Sequence, residues 1–454
     1  MEDKEFVAEL IEKSRIAQKQ YASFTQEQVD AIVKEVGKVI FDNAEELAKM
    51  AVEETAMGVY EDKVLKIRGK SQGIWSDLNG VKSIGIIDRD EKTGIVKVAK
   101  PKGVVAAITP TTNPVVTPMC NSMFALKGLN SIIVAPHPRS KKCSAKTVDL
   151  INEALKKYNA PENLIQVIRE PSIPTTIELM NQADVVVATG GAAMVKSAYS
   201  SGKPALGVGP GNVQVIIDKG VDYASAAEKI IIGRKFDNGI ICSGEQSIIA
   251  PREEYASILE AFVSKGAYVI SDAEAKQKFR DILFKDGSVS APAVGQGVQE
   301  IAKLAGVEVP EGTKVIIIEG DGFGADEILC KEKMCPVLVA LKYDTFDEAL
   351  HIAQSNLNVE GKGHTCAIHS DNSEHVEKAG VYLTISRLVV NQPSSTSAGG
   401  AITNGFKVTT TLGCGSWGNN SISENLNFTH LINVSQIGYN VENKERIAKY
   451  GFDK

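Results

Sequence analysis

Apolar positions recur at three- and four-residue spacing along the first part of the chain. Phe6, Leu10 and Ile11, then Val29, Ile32, Val33, Val36 and Ile40, each mark one helix face, and residues 45–55 continue the pattern. The texture changes at residues 84–98. Ile84-Gly85-Ile86-Ile87, a charged turn at Arg89-Asp90-Glu91-Lys92-Thr93-Gly94, and Ile95-Val96-Lys97-Val98 predict a hairpin. Beyond Pro101, short apolar runs at 104–108, 131–135, 164–168 and 185–188 alternate with helical stretches at 117–126, 144–157 and 174–181, the last with Pro174 in its first helical position. Continuous Val/Ile runs suit strands buried on both faces. Strand–helix repeats at this spacing predict an α/β fold with a doubly wound parallel sheet. Such sheets bind ligands at the carboxyl ends of their strands. A second alternation begins near Asp222, with strands expected at 247–250, 267–270, 314–318, 337–342, 364–369 and 388–391 and helices at 224–233, 254–265 and 345–354. A Ser/Gly-rich stretch at 392–400 interrupts it.

Composition narrows the function classes. Of 454 residues, 43% are hydrophobic and 23% charged, which excludes a disordered chain or a disulfide scaffold and suits two or three domains. Fifty Lys+Arg against 56 Asp+Glu leave a net charge of -6. There is no basic run or basic–aromatic stripe, so no nucleic-acid partner is expected. No secretory leader and no apolar run of about 18 residues is visible, so no membrane partner is expected either. Seven cysteines (120, 143, 242, 330, 335, 366 and 414) are scattered without a Cys-x-x-Cys pair. A metal site and a disulfide framework are therefore not expected, and a reducing, cytoplasmic compartment is.

Four segments carry candidate chemistry. Cys242, in Phe236-Asp237-Asn238-Gly239-Ile240-Ile241-Cys242-Ser243-Gly244, follows a helix on a small-residue turn before a strand. There a thiol can be polarised by backbone N–H groups, although a free Cys taken alone is more often a buried structural one. Thr109-Pro110-Thr111-Thr112-Asn113-Pro114 follows the first buried strand. Its amide can serve a developing oxyanion or simply mark an Asn-Pro turn. Thr189-Gly190-Gly191 opens a helix after a strand, where backbone N–H groups favour a pyrophosphate. His137-Pro138-Arg139-Ser140-Lys141-Lys142 follows another strand end and either holds a phosphate or is a solvated loop.

In their order and spacing these segments resemble the aldehyde dehydrogenase superfamily over nearly the whole chain. The resemblance implies Cys242 as nucleophile, Asn113 as oxyanion donor, Thr189-Gly190-Gly191 as the cofactor turn, and Glu332, before Pro336-Val337, as the holder of the nicotinamide ribose. Hydrolytic members carry a glutamate that activates water in a segment that reads Ala205-Leu206-Gly207-Val208-Gly209-Pro210-Gly211-Asn212 here, without a carboxylate. That departure, with Asn391-Gln392-Pro393-Ser394-Ser395 and Thr411-Leu412-Gly413-Cys414-Gly415-Ser416-Trp417, is similar to the CoA-acylating branch. Thr111–Asn121 (TTNPVVTPMCN) and Ala401–Phe406 (AITNGF) look most like acylating succinate-semialdehyde dehydrogenases.

The resemblance further implies a dinucleotide-binding domain at 1–220 with a return segment near 405–425, and a catalytic domain at 221–404. The hairpin at 84–98 and the tail at 426–454 are expected to make subunit contacts in a homodimer. Cofactor contacts are expected from Thr109, Pro110, His137, Arg139, Ser140 and Lys141, and substrate contacts from Thr111, Ser243, Ser394 and Ser395. Relatives that use NAD often have a glutamate where Arg139 stands. Gaining a cation there favours NADP over NAD, with coenzyme A as co-substrate. His364, in Gly361-Lys362-Gly363-His364-Thr365, either assists deprotonation of the CoA thiol or is structural.

Overall fold

The computed structural model describes residues 2–442 and 444–451, so residues 443 and 452–454 of the expected subunit-contact tail lie outside the described residues. Four helices open the chain: α1 (Glu2–Tyr21), α2 (Gln26–Asp42), α3 (Ala44–Thr55) and α4 (Tyr60–Leu78). Helix α2 begins in a capping box. Thr25 Oγ1 accepts from the Gln28 N–H, and the Gln28 side chain accepts from the Thr25 N–H. The stripe Val29, Ile32, Val33, Val36 and Ile40 is buried as its spacing predicts. The expected hairpin is β1 (Gly85–Asp90) and β2 (Ile95–Pro101).

The first parallel sheet follows as β3 (Val104–Thr109), α5 (Val116–Lys127), β4 (Ser131–Pro136), α6 (Lys141–Leu155), β5 (Ile165–Val167), α7 (Ile173–Gln182), β6 (Val185–Thr189), α8 (Ala192–Ser200) and β7 (Ala205–Val208). Its strand order is β5-β4-β3-β6-β7, so the winding reverses at β3. Alternate side chains pack on opposite faces. Val105, Ala107, Ile132, Val134, Val185 and Val187 enter one core, and Val104, Ala106, Ile133, Ala135, Val186 and Ala188 enter another. Helix α7 starts one residue earlier than expected, because Ser172 Oγ accepts from the Thr175 N–H and leaves Pro174 at the second position. Strand β7 escapes pattern analysis because Gly207 interrupts it. The glycine makes room for the Tyr199 ring, which a Cβ there would meet at 2.9 Å.

A second sheet contains β8 (Gln214–Ile217), β9 (Ser247–Pro251), β10 (Ala267–Ile270), β13 (Val315–Glu319), β14 (Val337–Tyr343), β15 (Gly363–His369) and β16 (Ile385–Val390). A two-strand hairpin, β11 (Phe284–Lys285) and β12 (Ser288–Val289), stands apart from it. The order is β10-β13-β14-β9-β8-β15-β16, every pair parallel. Both faces are again apolar, with Ile216, Ile316 and Val339 on one side and Val215, Ile317 and Leu338 on the other. Near the end, β17 (Ile432–Gly438) pairs antiparallel with β2 and completes a three-stranded sheet. No helix among the described residues is long and apolar enough to cross a membrane.

The chain leaves the first sheet at Val208, the carboxyl end of β7, and enters the second at Gln214, the amino end of β8. Strand direction is carried across by residues 209–213. The carboxyl edge of one sheet therefore meets the amino edge of the other. In the first sheet the candidate segments around Asn113 and Gly190-Gly191 follow the carboxyl ends of β3 and β6. In the second sheet, Gly211, Cys242, Glu332 and His364 stand at or before the amino ends of β8, β9, β14 and β15.

One side chain ties that edge together. Arg234, at the end of α9 (Tyr223–Lys235), is fully buried. Its Nε donates to the Cys335 carbonyl at 2.7 Å, Nη1 to the Glu245 carbonyl at 2.9 Å and Nη2 to the Gly239 carbonyl at 3.3 Å. Arg234→Met keeps the volume but takes the side-chain donor from the Glu245 and Gly239 carbonyls, at about 1–3 kcal/mol each, while the Cys335 carbonyl keeps the Val337 N–H at 2.7 Å. The expected result is a clearly lower midpoint in thermal unfolding followed by circular dichroism, and an unchanged midpoint would contradict this role.

Candidate active site

Helix α9 ends in a 3-10 turn, Phe236–Gly239, in which Asp237 and Asn238 hold positive φ (51° and 52°). The chain then makes a tight turn closed by the Gly244 N–H donating to the Ile241 carbonyl at 2.8 Å, with Cys242 at its second position. The crossing loop lies directly on this turn. A Cβ at Gly211 would sit 1.8 Å from the Cys242 carbonyl oxygen, so only glycine fits there.

Asn113 lies in the loop between β3 and α5. Lys66 Nζ donates to its Oδ1 at 2.7 Å. An ammonium can only donate, so the contacted atom is the amide oxygen and the NH2 is left free. That NH2 has no partner among the described residues. Asn113 and Cys242 line one cavity of about 410 Å3 together with Lys66, Lys70, Ser243 and Ser395. Among the described residues no carboxylate lines it. Lys70 Nζ donates to the Gly399 carbonyl at 2.7 Å, and burial pushes its pKa down to about 8.

Of the expected substrate contacts, Ser243 and Ser395 face the cavity, and the Ser395 Oγ is buried without a partner. Thr111 and Ser394 do not line it. Ser394 is fully buried, and its N–H donates to Glu245 Oε1 at 2.5 Å. Lys66 and Lys70 were not among the residues expected from the sequence. They stand on α4 in Lys63-Val64-Leu65-Lys66-Ile67-Arg68-Gly69-Lys70, which reads as a solvated helix face. The available signal was spacing: Lys63, Lys66 and Lys70 fall at i, i+3 and i+7, beside the buried stripe Val64, Ile67, Ser71 and Ile74.

His364 is fully buried at the start of β15 and does not line the cavity. Its ring lies behind the crossing loop, with Cε1 3.3 Å from where a Cβ of Gly211 would be. Nδ1 is 3.0 Å from Thr365 Oγ1, and Nε2 has no partner. Burial, reinforced by Arg387, pushes its pKa well below the ordinary histidine value, so the ring is neutral. Glu332 is held between two backbone contacts. Its N–H donates to Glu360 Oε2 at 2.7 Å, and its carboxylate faces the Gly211 N–H. Burial and the neighbouring Glu360 push its pKa up to about 8.

The cofactor candidates fall into two groups. At the carboxyl end of β6, Gly191 caps α8 with no side-chain cap, and a Cβ there would meet nothing within 4 Å. Free N–H groups on open ground fit a pyrophosphate. Thr189 Oγ1 is 2.9 Å from Thr411 Oγ1 and ties this turn to the returning chain. Thr109 is buried at the end of β3 with its hydroxyl unpartnered, and Pro110 is half-buried. Beyond β4, His137 and Arg139 are exposed, and Lys141 pairs with Glu170. Ser140 is fully buried, and its Oγ donates to the His137 carbonyl at 3.3 Å, so it shapes the turn.

Comparison with known proteins identifies the family. The aldehyde dehydrogenase family pattern matches residues 1–279. The chain belongs to the aldehyde dehydrogenase family. It is 63% identical over 433 residues to a succinate-semialdehyde dehydrogenase (acetylating) of Clostridium kluyveri, covering 95% of each chain. A sulfoacetaldehyde dehydrogenase of Acholeplasma sp. is 42% identical over 94% of this chain and 89% of its own. The crystal structure of an acetylating aldehyde dehydrogenase from Geobacillus thermoglucosidasius superposes with a TM-score of 0.94 at 37% identity, over 97% of this chain and 98% of that one. Within the family the chain groups with the CoA-acylating branch, and it is an oxidoreductase.

The Cys242 thiol is pushed up to about 12, first by burial and then by Glu332 and Cys414, with Arg387 opposing. Below that value the thiolate fraction grows tenfold per pH unit. Alkylation of the free enzyme at Cys242 by iodoacetamide should therefore be slow at pH 7 and climb steadily to about pH 10. A plateau below pH 9, followed by mass spectrometry, would refute the elevated pKa.

Proposed function

We propose that this enzyme interconverts succinate semialdehyde, coenzyme A and NADP+ with succinyl-CoA, NADPH and a proton, through a thioester on Cys242. The observation that carries this reading is the cavity itself. It joins a thiol, a free amide donor and two lysine ammoniums, with no carboxylate among the described residues that line it. Cys242, as thiolate, adds to the aldehyde carbon, and Asn113 donates to the resulting alkoxide. The nicotinamide cofactor, when bound, supplies the hydride acceptor for the substrate carbon. Loss of hydride leaves the acyl group on Cys242, and the CoA thiol displaces it. His364, neutral, with an unpartnered Nε2 and packed against the crossing loop at Gly211, is assigned to assist the incoming thiol.

Cofactor contacts are assigned to Thr109, Pro110, the Thr189-Gly190-Gly191 turn and Glu332. The exposed cation Arg139 supports a 2′-phosphate and hence NADP, with the half-buried Lys141 beside it paired with Glu170. The two sheets correspond to cofactor-binding and catalytic units. The β1–β2–β17 sheet exposes Ile86, Val434, Ile437 and Tyr439, which supports its use as a homodimer contact.

Two measurements test this reading. Water needs a base that the cavity lacks, whereas a thiol attacks as its own thiolate. Single-turnover mixing with aldehyde and NADP+, without CoA, should give a burst of about one NADPH per Cys242. A slow phase that CoA accelerates should follow. Rapid steady release of succinate without CoA would overturn the assignment.

The second measurement concerns the distal carboxylate. Lys70 reaches the cavity as a cation, since its pKa of about 8 lies above neutral pH. Lys70→Met should raise KM for succinate semialdehyde about tenfold or more, with little change for propanal. In the unmodified enzyme the same KM should climb above pH 8 as the ammonium loses its proton. Equal effects on both aldehydes would exclude Lys70 as the carboxylate receptor.

A further inference from the structure

Asn113 does not stand alone at the cavity wall. Lys66 Nζ is 2.7 Å from its Oδ1 and 2.6 Å from Asp237 Oδ2. Asp237 also accepts from Lys63 Nζ at 3.1 Å and, through Oδ1, from the Val59 N–H at 2.9 Å. Its own N–H donates to Asp62 Oδ2 at 2.8 Å. Asp237 is fully buried, and the Lys63 and Lys66 side chains are 3% and 9% exposed, so solvent does little to screen the set. Two ammoniums share the one buried carboxylate of Asp237, and breaking such a set by removing one partner is costly. Asp237 lies five residues before Cys242, in the 3-10 turn that leads into the Cys242 turn, with its backbone in the left-handed region. The oxyanion donor on the first sheet is thereby referenced to the nucleophile turn of the second through a single ammonium.

We infer that Lys66 is a positioning residue. Held by Asp237, it fixes the Asn113 amide with its oxygen away from the substrate and its NH2 toward the atom that carries charge after attack. An ammonium donating to an amide oxygen also withdraws electrons from the amide nitrogen and strengthens its N–H as a donor. The role is distinct from that of Lys70, whose ammonium is held by the Gly399 carbonyl and has no contact with Asn113. The inference rests on the reading of Asn113 as the oxyanion donor.

The test is a double-mutant cycle of Lys66→Met and Asn113→Ala, with single-turnover rates and steady-state constants measured for both succinate semialdehyde and propanal. Lys66→Met should slow acylation of Cys242 on the order of tenfold or more, equally for both aldehydes and with KM little changed. Asn113→Ala should cost on the order of a hundredfold. The double variant should be no slower than Asn113→Ala alone, because the group that Lys66 positions is gone. Multiplying losses would overturn the inference. So would a loss confined to KM for succinate semialdehyde, which would make Lys66 a substrate receptor. Near-normal activity in Asn113→Ala would instead refute the oxyanion reading beneath it. If Lys66→Met does not fold, the cycle is run with Lys66→Gln, and the same outcomes decide.

Discussion

The site depends on a crossing of five residues. Because the chain leaves one parallel sheet at its carboxyl edge and enters the next at its amino edge without turning back, two rows of loops are brought face to face. The first row contributes Asn113 and the Gly190-Gly191 turn, and the second contributes Cys242, Glu332 and His364. Neither sheet has the whole set. The crossing passes so close to Cys242 that Gly211 fills the last space between the crossing loop and the Cys242 main chain. Arg234, with all its recorded donations going to main-chain carbonyls, then fixes the loops on the far side.

Enclosure shapes the electrostatics more than any single charge. Burial holds the Cys242 thiol, the Glu332 carboxyl and the His364 ring toward their neutral forms. The cavity is therefore left with the ammoniums of α4 as its charged groups. Such a site is quiet when empty and favours anions, both the alkoxide that forms on attack and an acidic tail on the substrate. Groups kept neutral by desolvation are also ready to change state when binding alters their surroundings.

Much of the fold was legible because burial on both faces leaves apolar runs, and β3, β4 and β6 are of that kind, while Gln166 interrupts β5. Strands β7 and β8 were not, since Gly207 and the Gly209-Pro210-Gly211 sequence read as loop. The thiol, the amide and the two glycines were legible from motif spacing, and the structure brings Cys242 and Asn113 to one cavity. Thr111 and Ser394 illustrate the limit. Adjacency in a motif does not fix which side chain faces the cavity, and both sit away from it. Lys66 and Lys70 illustrate another. Their helix precedes the first sheet strand and meets the site through tertiary packing alone, so proximity in the sequence gave no hint of it.

The packing at residue 211 also bears on how this chemistry can change by descent. A side chain there would collide with the main chain of Cys242 before reaching any substrate. A carboxylate at residue 211 therefore cannot arrive by point mutation alone. It would require a rerouted loop, with residues inserted or removed. The missing methyl group works as a ratchet: substitutions elsewhere along the cavity leave this contact intact, and the residue at 211 stays locked to the length of the crossing.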